Sequence, residues 1–161
     1  MEIRPAKPED VPQVLPMVDK LAALHESWDP AKFPYLPNVG QMYNSWMRNR
    51  ARDKRSVFFV AAKEDGVVVG FIIGTVEREI PIYRIEEFGF IHDLWIEPDY
   101  RNEGLARQLV MASVERFREL GTTQVRCDTA TANEAARHLF GRCGFRASVT
   151  EMMLEMERPA Q

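Results

Sequence analysis

Cysteine is scarce in this chain: Cys127 and Cys143 are the two among 161 residues. Two thiols cannot make a disulfide framework, and their spacing carries neither a Cys-x-x-Cys signature nor a metal-ligand set. Reduced thiols in a cytoplasmic protein without a metal are the expectation. Positive charge is not in excess either. The formal net charge is −3, which removes the electrostatic case for general nucleic-acid binding. Long hydrophobic runs are missing. The longest, Val67 to Val76, is interrupted by Gly70 and Gly74 and has about half the length that a membrane-spanning helix needs. The first residues, Met-Glu-Ile-Arg-Pro, hold no apolar core of a secretion signal. No internal repeat or low-complexity tract is present. What remains is a mixed composition, 45% hydrophobic and 28% charged. It suits one folded domain over residues 1–161.

Periodicity sketches the elements. Glu2 to Arg4 reads as a first strand. Pro8, Glu9 and Asp10 then suit a helix start, and Val11, Val14, Leu15, Val18, Leu21 and Ala22 fall on one helical face. Pro16 lies inside that pattern and predicts a kink or a split. Ser27 to Gly40, with three prolines and several aromatics, reads as a loop suited to specificity. A second helix is expected over Gln41 to Arg52, burying Met42, Trp46 and Met47. Ser56 to Lys63 and Val67 to Glu79 read as strands joined by a tight turn at Glu64-Asp65-Gly66. Ile85 to Glu97 is the next strand. Asn102 to Leu120 is a helix stopped by Gly121. Thr123 to Thr129 is a strand, Asn133 to Cys143 a short helix, and Val149 to Glu157 a closing strand. Strands and helices in the order βααβββαβαβ predict an α/β (α+β) sandwich, a central sheet flanked by helices.

The most informative stretch runs from Ile91 to Leu109. A strand ending Leu94-Trp95-Ile96-Glu97-Pro98 enters a turn, and Arg101-x-x-Gly104-x-Ala106 then opens a long helix. The first amides of a helix have no intrahelical partner, and the macrodipole favours an anion there. Gly104 lacks the Cβ that would hold a phosphate away from the backbone, and Ala106 keeps the approach nearly as close.

This stretch resembles the acetyl-CoA motif of the GNAT superfamily of N-acetyltransferases, in particular that of spermidine/spermine N-acetyltransferases. The segment Asn133-Glu-Ala-Ala136-Arg-His-Leu139-Phe140-Gly-Arg-Cys-Gly144-Phe145 resembles the one that closes the same fold. The resemblance covers nearly the whole chain. It implies the acyl-CoA N-acyltransferase fold with a mixed sheet, and direct transfer of acetyl from acetyl-CoA to an amine. It also implies a homodimer. Gly-x-x-x-x-Gly-Lys-Ser/Thr and Gly-x-Gly-x-x-Gly patterns are absent, which disfavours a nucleotide-binding protein of another fold.

Three tasks follow for such chemistry: holding the cofactor, polarising the thioester carbonyl and deprotonating the amine, which is mostly protonated at neutral pH. For the first, the amides of Asn102, Glu103, Gly104, Leu105, Ala106 and Arg107 are the expected pyrophosphate cradle, with Arg101 adding charge. The resemblance places pantetheine along the backbone of Leu94, Trp95 and Ile96. It adds contacts from Asn133, Ala135 and Ala136, with Phe140 packing beneath. Asn133 read by itself is a helix N-cap. For the carbonyl, the resemblance points to the Leu94 N–H. For the base, alternation puts His92 on the face of Leu94 and Ile96, and an imidazole titrates in the useful range. Glu86, Glu87 and Asp93 are the reserves. Asp93 points to the opposite face unless a β-bulge changes the parity.

Phe140 stands where family members often carry a tyrosine that protonates the departing thiolate. A thiol pKa near 8.5 still makes thiolate a tolerable leaving group, and water, Tyr35 or Tyr83 could substitute. The same departure keeps open a second reading, a GNAT-fold sensor that binds acyl-CoA without turnover. For the acceptor, Glu26, Trp28, Tyr35 and Asp93 are the candidates. Together with Glu77, Glu79, Glu86 and Glu87 they would suit a cationic amine. A small amine, a polyamine, an amino acid and a peptide lysine all remain open.

Overall fold

The computed structural model describes residues 1–156. Its elements are β1 (Glu2–Pro5), α1 (Val11–Trp28), α2 (Val39–Arg52), β2 (Ser56–Ala62), β3 (Val68–Arg78), β4 (Glu87–Ile96), a 3-10 turn (Pro98–Tyr100), α3 (Leu105–Glu119), β5 (Val125–Cys127) and α4 (Glu134–Arg142). The strands form one sheet in chain order, antiparallel except for the parallel pair β4–β5. The mixed sheet flanked by helices matches the expected sandwich.

The two faces of the sheet are covered by different helices. Val11, Val14, Met17, Val18, Leu21 and Ala22 of α1 and Met47 of α2 pack on Phe58, Val60, Phe71, Ile73 and Trp95. Leu105, Leu109, Val110 and Phe117 of α3 and Phe140 of α4 pack on Val57, Ala61, Val69, Ile72, Ile91 and Ile96. Strands buried on both faces need no alternation, and most of β2 and of β3 is buried residue after residue.

α1 passes through Pro16 as one helix, so the predicted split does not occur. Pro16 is exposed. The carbonyl that loses its intrahelical donor therefore faces solvent and needs no protein partner. α2 begins at Val39, two residues earlier than expected, and its entry is pinned to α1. The Gly40 N–H donates to Asp19 Oδ1 at 2.7 Å, and a Cβ at Gly40 would lie 2.3 Å from the Leu15 carbonyl oxygen. On α2, Met47 is buried as expected, whereas Met42 is 61% exposed.

The closing strand does not form. Residues 149–156 carry no regular structure, and Glu157 lies outside the described residues. Val149, Met152 and Leu154 stay exposed there. A strand persists only as part of a ladder with a buried face, and this segment has neither. Among the described residues, no helix is long and apolar enough to cross a membrane.

Candidate active site

Two local features of β4 organise the site. The first is a split. β4 and β5 pair only from Gly89 with Val125 to Ile91 with Cys127, and β5 then ends. β4 continues to Ile96 with no strand on that side. Glu97 N–H donates to Val69 O of the β3 side at 2.8 Å. Alternation back along the strand turns the Leu94 and Ile96 amides toward the split. The Leu94 N–H is therefore where a carbonyl lying along this edge would meet it. The side chains of Leu94 and Ile96 pack on the α3/α4 side and that of Trp95 on the α1/α2 side.

The second feature is a bulge. Asp93 pairs with Ile73 and Ile91 with Gly74, so His92 is the extra residue. It is not on the face of Leu94 and Ile96, as plain alternation required. Its ring contacts Trp46 of α2 edge-on, with centroids 5.6 Å apart, and its Nε2 lies 2.7 Å from Thr75 Oγ1. Asp93, opposite Ile73, faces the same α1/α2 side. The bulge thus puts two consecutive polar side chains on one face.

The first turn of α3 is the candidate anion site. Pro98–Tyr100 turns the chain, and Asn102 and Gly104 adopt positive φ, 66° and 79°. A Cβ at Gly104 would meet nothing within 4 Å, so glycine is needed there for the backbone conformation, and the space beside it is open. The amides of Asn102, Glu103, Gly104, Leu105, Ala106 and Arg107 have no acceptor among the described residues; the next one, of Gln108, donates to Gly104 O. Six consecutive free donors at a helix N-terminus fit a pyrophosphate. Arg101 is engaged otherwise than expected. Its Nε donates to Ile96 O at 2.9 Å, and its guanidinium lies 4.7 Å from the Trp95 ring centroid. It pins the turn to the end of β4. Lys20 adds a second tie, donating to both oxygens of Glu97 at 2.7 and 2.9 Å.

On the α4 side, Asn133 caps the helix by accepting from Ala136 N–H at 3.0 Å, which leaves its Nδ2 unengaged by that role. Ala135 is exposed and Ala136 half-buried. Phe140 is 8% exposed and packs edge-on against Phe145.

The α1/α2 side of this region is lined by aromatic rings. Tyr43 meets Trp46 at 5.4 Å, Trp46 meets His92, and Phe90 lies 5.1 Å from His92. Asp93 lies close enough to Tyr35 and Tyr43 to disfavour ionisation of both phenols. Burial is the larger cause and pushes Tyr43 up to about 12. Burial likewise pushes the Asp93 carboxyl up to about 6, and its Oδ2 is shut off from solvent without a hydrogen-bond partner. The His92 imidazole is held below its ordinary value, chiefly by burial. The neighbouring Glu77 opposes that shift, and Arg50 adds to it.

The remaining predicted residues disperse. Trp28 packs edge-on against His25, and Glu26 is exposed one residue along α1. Glu79 pairs with Arg126 and Glu87 with Arg55, while Glu86 is exposed. Tyr83 stands 58% exposed in the β3–β4 connection. The sequence reading missed Thr75, Tyr43 and Arg50. The signal for two of them was present: Tyr43, Trp46 and Arg50 have the i, i+3, i+7 spacing of one helix face.

Comparison with known proteins agrees with this geometry. Residues 21–145 match the model of the acetyltransferase (GNAT) family. A mycothiol acetyltransferase of Propionibacterium freudenreichii is 31% identical over 147 residues, covering 89% of this chain and 45% of that protein. N-acetyltransferase 8 of Homo sapiens is 26% identical, covering 83% of this chain and 59% of that protein. The chain thus spans about half the length of these curated relatives. Among solved structures, a mutant of the BH1408 protein from Bacillus halodurans superposes with a TM-score of 0.86 at 17% identity, over 98% of this chain and 100% of that one. The aminoglycoside N-acetyltransferase AAC(6')-Iy in complex with CoA superposes at 0.70 with 16% identity, over 97% and 99%. The family match and the shared fold, on a chain with a split β4 edge beside a free helix N-terminus, place this protein in the acetyltransferase (GNAT) family.

Proposed function

We propose that the chain, as one domain over residues 1–161, is an acetyl-CoA-dependent N-acetyltransferase that acts on a primary amine. The observation that carries the reading is the row of free amides from Asn102 to Arg107, set next to the unpaired edge of β4. Those amides would hold the pyrophosphate. The Leu94, Trp95 and Ile96 backbone would hold pantetheine, with Asn133, Ala135, Ala136 and Phe140 along its other side. Acetyl-CoA supplies the activated acyl group as a thioester.

The residues of the chain do the rest. The Leu94 N–H, directed into the split, stabilises negative charge on the thioester oxygen. Asp93, whose Oδ2 lacks a partner, draws in the cationic acceptor, and Tyr35, Tyr43 and Trp46 wall its path. His92, with a side chain 31% exposed, takes the proton that the ammonium must lose. The likeness to spermidine/spermine N-acetyltransferases supports polyamines among the amines to test. A homodimer and a cytoplasmic setting belong to the same reading. They rest on the family resemblance and on the two free thiols.

Calorimetric titration with acetyl-CoA, with S-acetylpantetheine as the control, tests the cradle. Micromolar binding of acetyl-CoA and at least ~100-fold weaker binding of the phosphate-free analogue are expected, given the charge-assisted donors involved. CoA release with a panel of amines then tests transfer. Saturable binding without release for any amine would favour the sensor reading, and no binding at millimolar acetyl-CoA would sink both.

A further inference from the structure

We propose that Thr75 and Glu77 are positioning residues for His92, holding its imidazole with the proton on Nε2 and leaving Nδ1 as the atom that accepts the proton of the amine. The proposal rests on the acetyltransferase reading for its chemistry and on separate geometry for the hydrogen bonds.

The three groups form a chain across β3 and β4. Thr75 Oγ1 lies 2.7 Å from His92 Nε2 and 2.5 Å from Glu77 Oε1, while His92 Nε2 and Glu77 Oε1 are 3.7 Å apart. A threonine hydroxyl has one proton to give. A carboxylate at neutral pH can only accept, so that proton goes to Glu77. The lone pairs of Oγ1 then face Nε2, which must be the donor. A neutral imidazole carries one N–H, so Nδ1 holds the free lone pair. The opposite tautomer would draw the hydroxyl proton to Nε2. Two oxygen acceptors would then stand 2.5 Å apart with nothing between them.

Thr75 is buried, 7% exposed, whereas the side chains of His92 and Glu77 are 31% and 45% exposed. Thr75 and Glu77 are two residues apart on β3 and so share a face. The bulge at His92 brings the imidazole onto that same face. Every element packed on the ring contributes a group. β3 gives Thr75 and Glu77, α2 gives Trp46 and the positive charge of Arg50, and β4 gives Phe90 and Asp93. Glu77 favours the imidazolium and Arg50 opposes it.

The proton step balances. An N–H bond of the acceptor ammonium breaks, its electron pair stays on nitrogen, and the proton forms a bond to Nδ1. The positive charge moves to the imidazolium, whose Nε2–H then makes a charge-assisted hydrogen bond to Thr75, backed by Glu77.

Long-range proton–nitrogen NMR on histidine-labelled protein reports the tautomer without turnover. In the parent chain, His92 is expected to carry its proton on Nε2. Thr75→Val should move the tautomer ratio toward that of a free imidazole and lower kcat/KM by about 10- to 100-fold, on the scale of losing a partner that orients a metal-bound histidine. Thr75→Ser should restore both. Glu77→Gln keeps an acceptor for Thr75 but removes the charge that favours the imidazolium. The acid limb of the kcat/KM profile, where His92 becomes protonated, should then move to lower pH. A proton on Nδ1 in the parent chain, or an unchanged tautomer in Thr75→Val, would overturn the proposal. If the expected tautomer appears and responds to Thr75→Val while no amine is acetylated, the hydrogen-bond chain stands and the acetyltransferase reading fails. If transfer is robust and Thr75→Val changes neither tautomer nor rate, the positioning role alone fails.

Discussion

His92 and Asp93 are neighbours in the chain and project to the same face of the sheet, because the bulge opposite Ile73 and Gly74 cancels the alternation between them. An imidazole and a carboxylate thereby share one cleft with the aromatic rings of α2. A regular strand would have sent one of the pair into the α3/α4 layer.

That placement costs stability, and the cost can be measured. Burial lifts the Asp93 carboxyl from 3.8 to about 6, a shift worth about 3 kcal/mol. The sign follows from linkage. The folded state holds the Asp93 proton more tightly than the unfolded chain does, so stability falls as pH rises from about 4 through about 6 and stays lower above that. Asp93→Asn does not titrate. It should be up to about 3 kcal/mol more stable than the parent chain at pH 8 and equal to it at pH 4. Urea unfolding at the two pH values checks this, and a gap independent of pH would rule it out. The same substitution should raise the KM for the amine, since the anchoring charge is lost.

Much of this architecture was legible because several signals agreed at each element. β2 and β3 are Val-, Ile- and Phe-rich segments of strand length joined by a turn signal at Glu64-Asp65-Gly66. Gly104 after a strand and before a helical pattern marked the candidate anion site through its missing Cβ, and the structure adds the positive φ. The bulge entered the sequence reading only as the alternative that would change the parity of Asp93, because its position is decided by pairing with β3. Thr75 was missed, and Glu77 was read only as one of several acidic groups, because which side chains meet His92 is set by that register. The closing strand failed conversely: Val149 to Met156 has strand-like composition, but it has no ladder partner among the described residues.

Gly104→Ala isolates the cradle. The residue sits at φ 79° with open space around its missing Cβ. The substitution therefore introduces no clash, only the left-handed strain of a non-glycine residue, roughly 1 kcal/mol. The new methyl group enters the space where a phosphate would approach the amides. A small drop in Tm with at least a tenfold rise in the Kd for acetyl-CoA is expected by thermal melts and calorimetry. Unchanged affinity would mean that the free amides do not face the ligand.

Phe140→Tyr addresses the missing acid. Phe140 is buried against Phe145. A thiol pKa near 8.5 makes thiolate a competent leaving group without a dedicated proton donor. The substitution should therefore change kcat at pH 8 by less than about twofold, because at that pH leaving-group protonation is not what the chain lacks. A rise of tenfold or more in steady-state kcat would show that Phe140 is a catalytic deficit and strengthen the sensor reading for the parent chain.

Asn133→Ser separates capping from cofactor contact. Asn133 Oδ1 accepts from Ala136 N–H, and serine caps a helix about as well as asparagine, so stability should hold to within a few tenths of a kcal/mol. Serine lacks the amide Nδ2 that would reach the pantetheine arm from the start of α4. The Kd for acetyl-CoA should then rise severalfold with Tm unchanged. Asn133→Ala should lose about 1 kcal/mol in addition, since the Ala136 amide would lose its acceptor. If serine leaves the Kd where it was, Asn133 is a cap and nothing more, and the α4 side of the cleft holds the cofactor by packing on Phe140 alone.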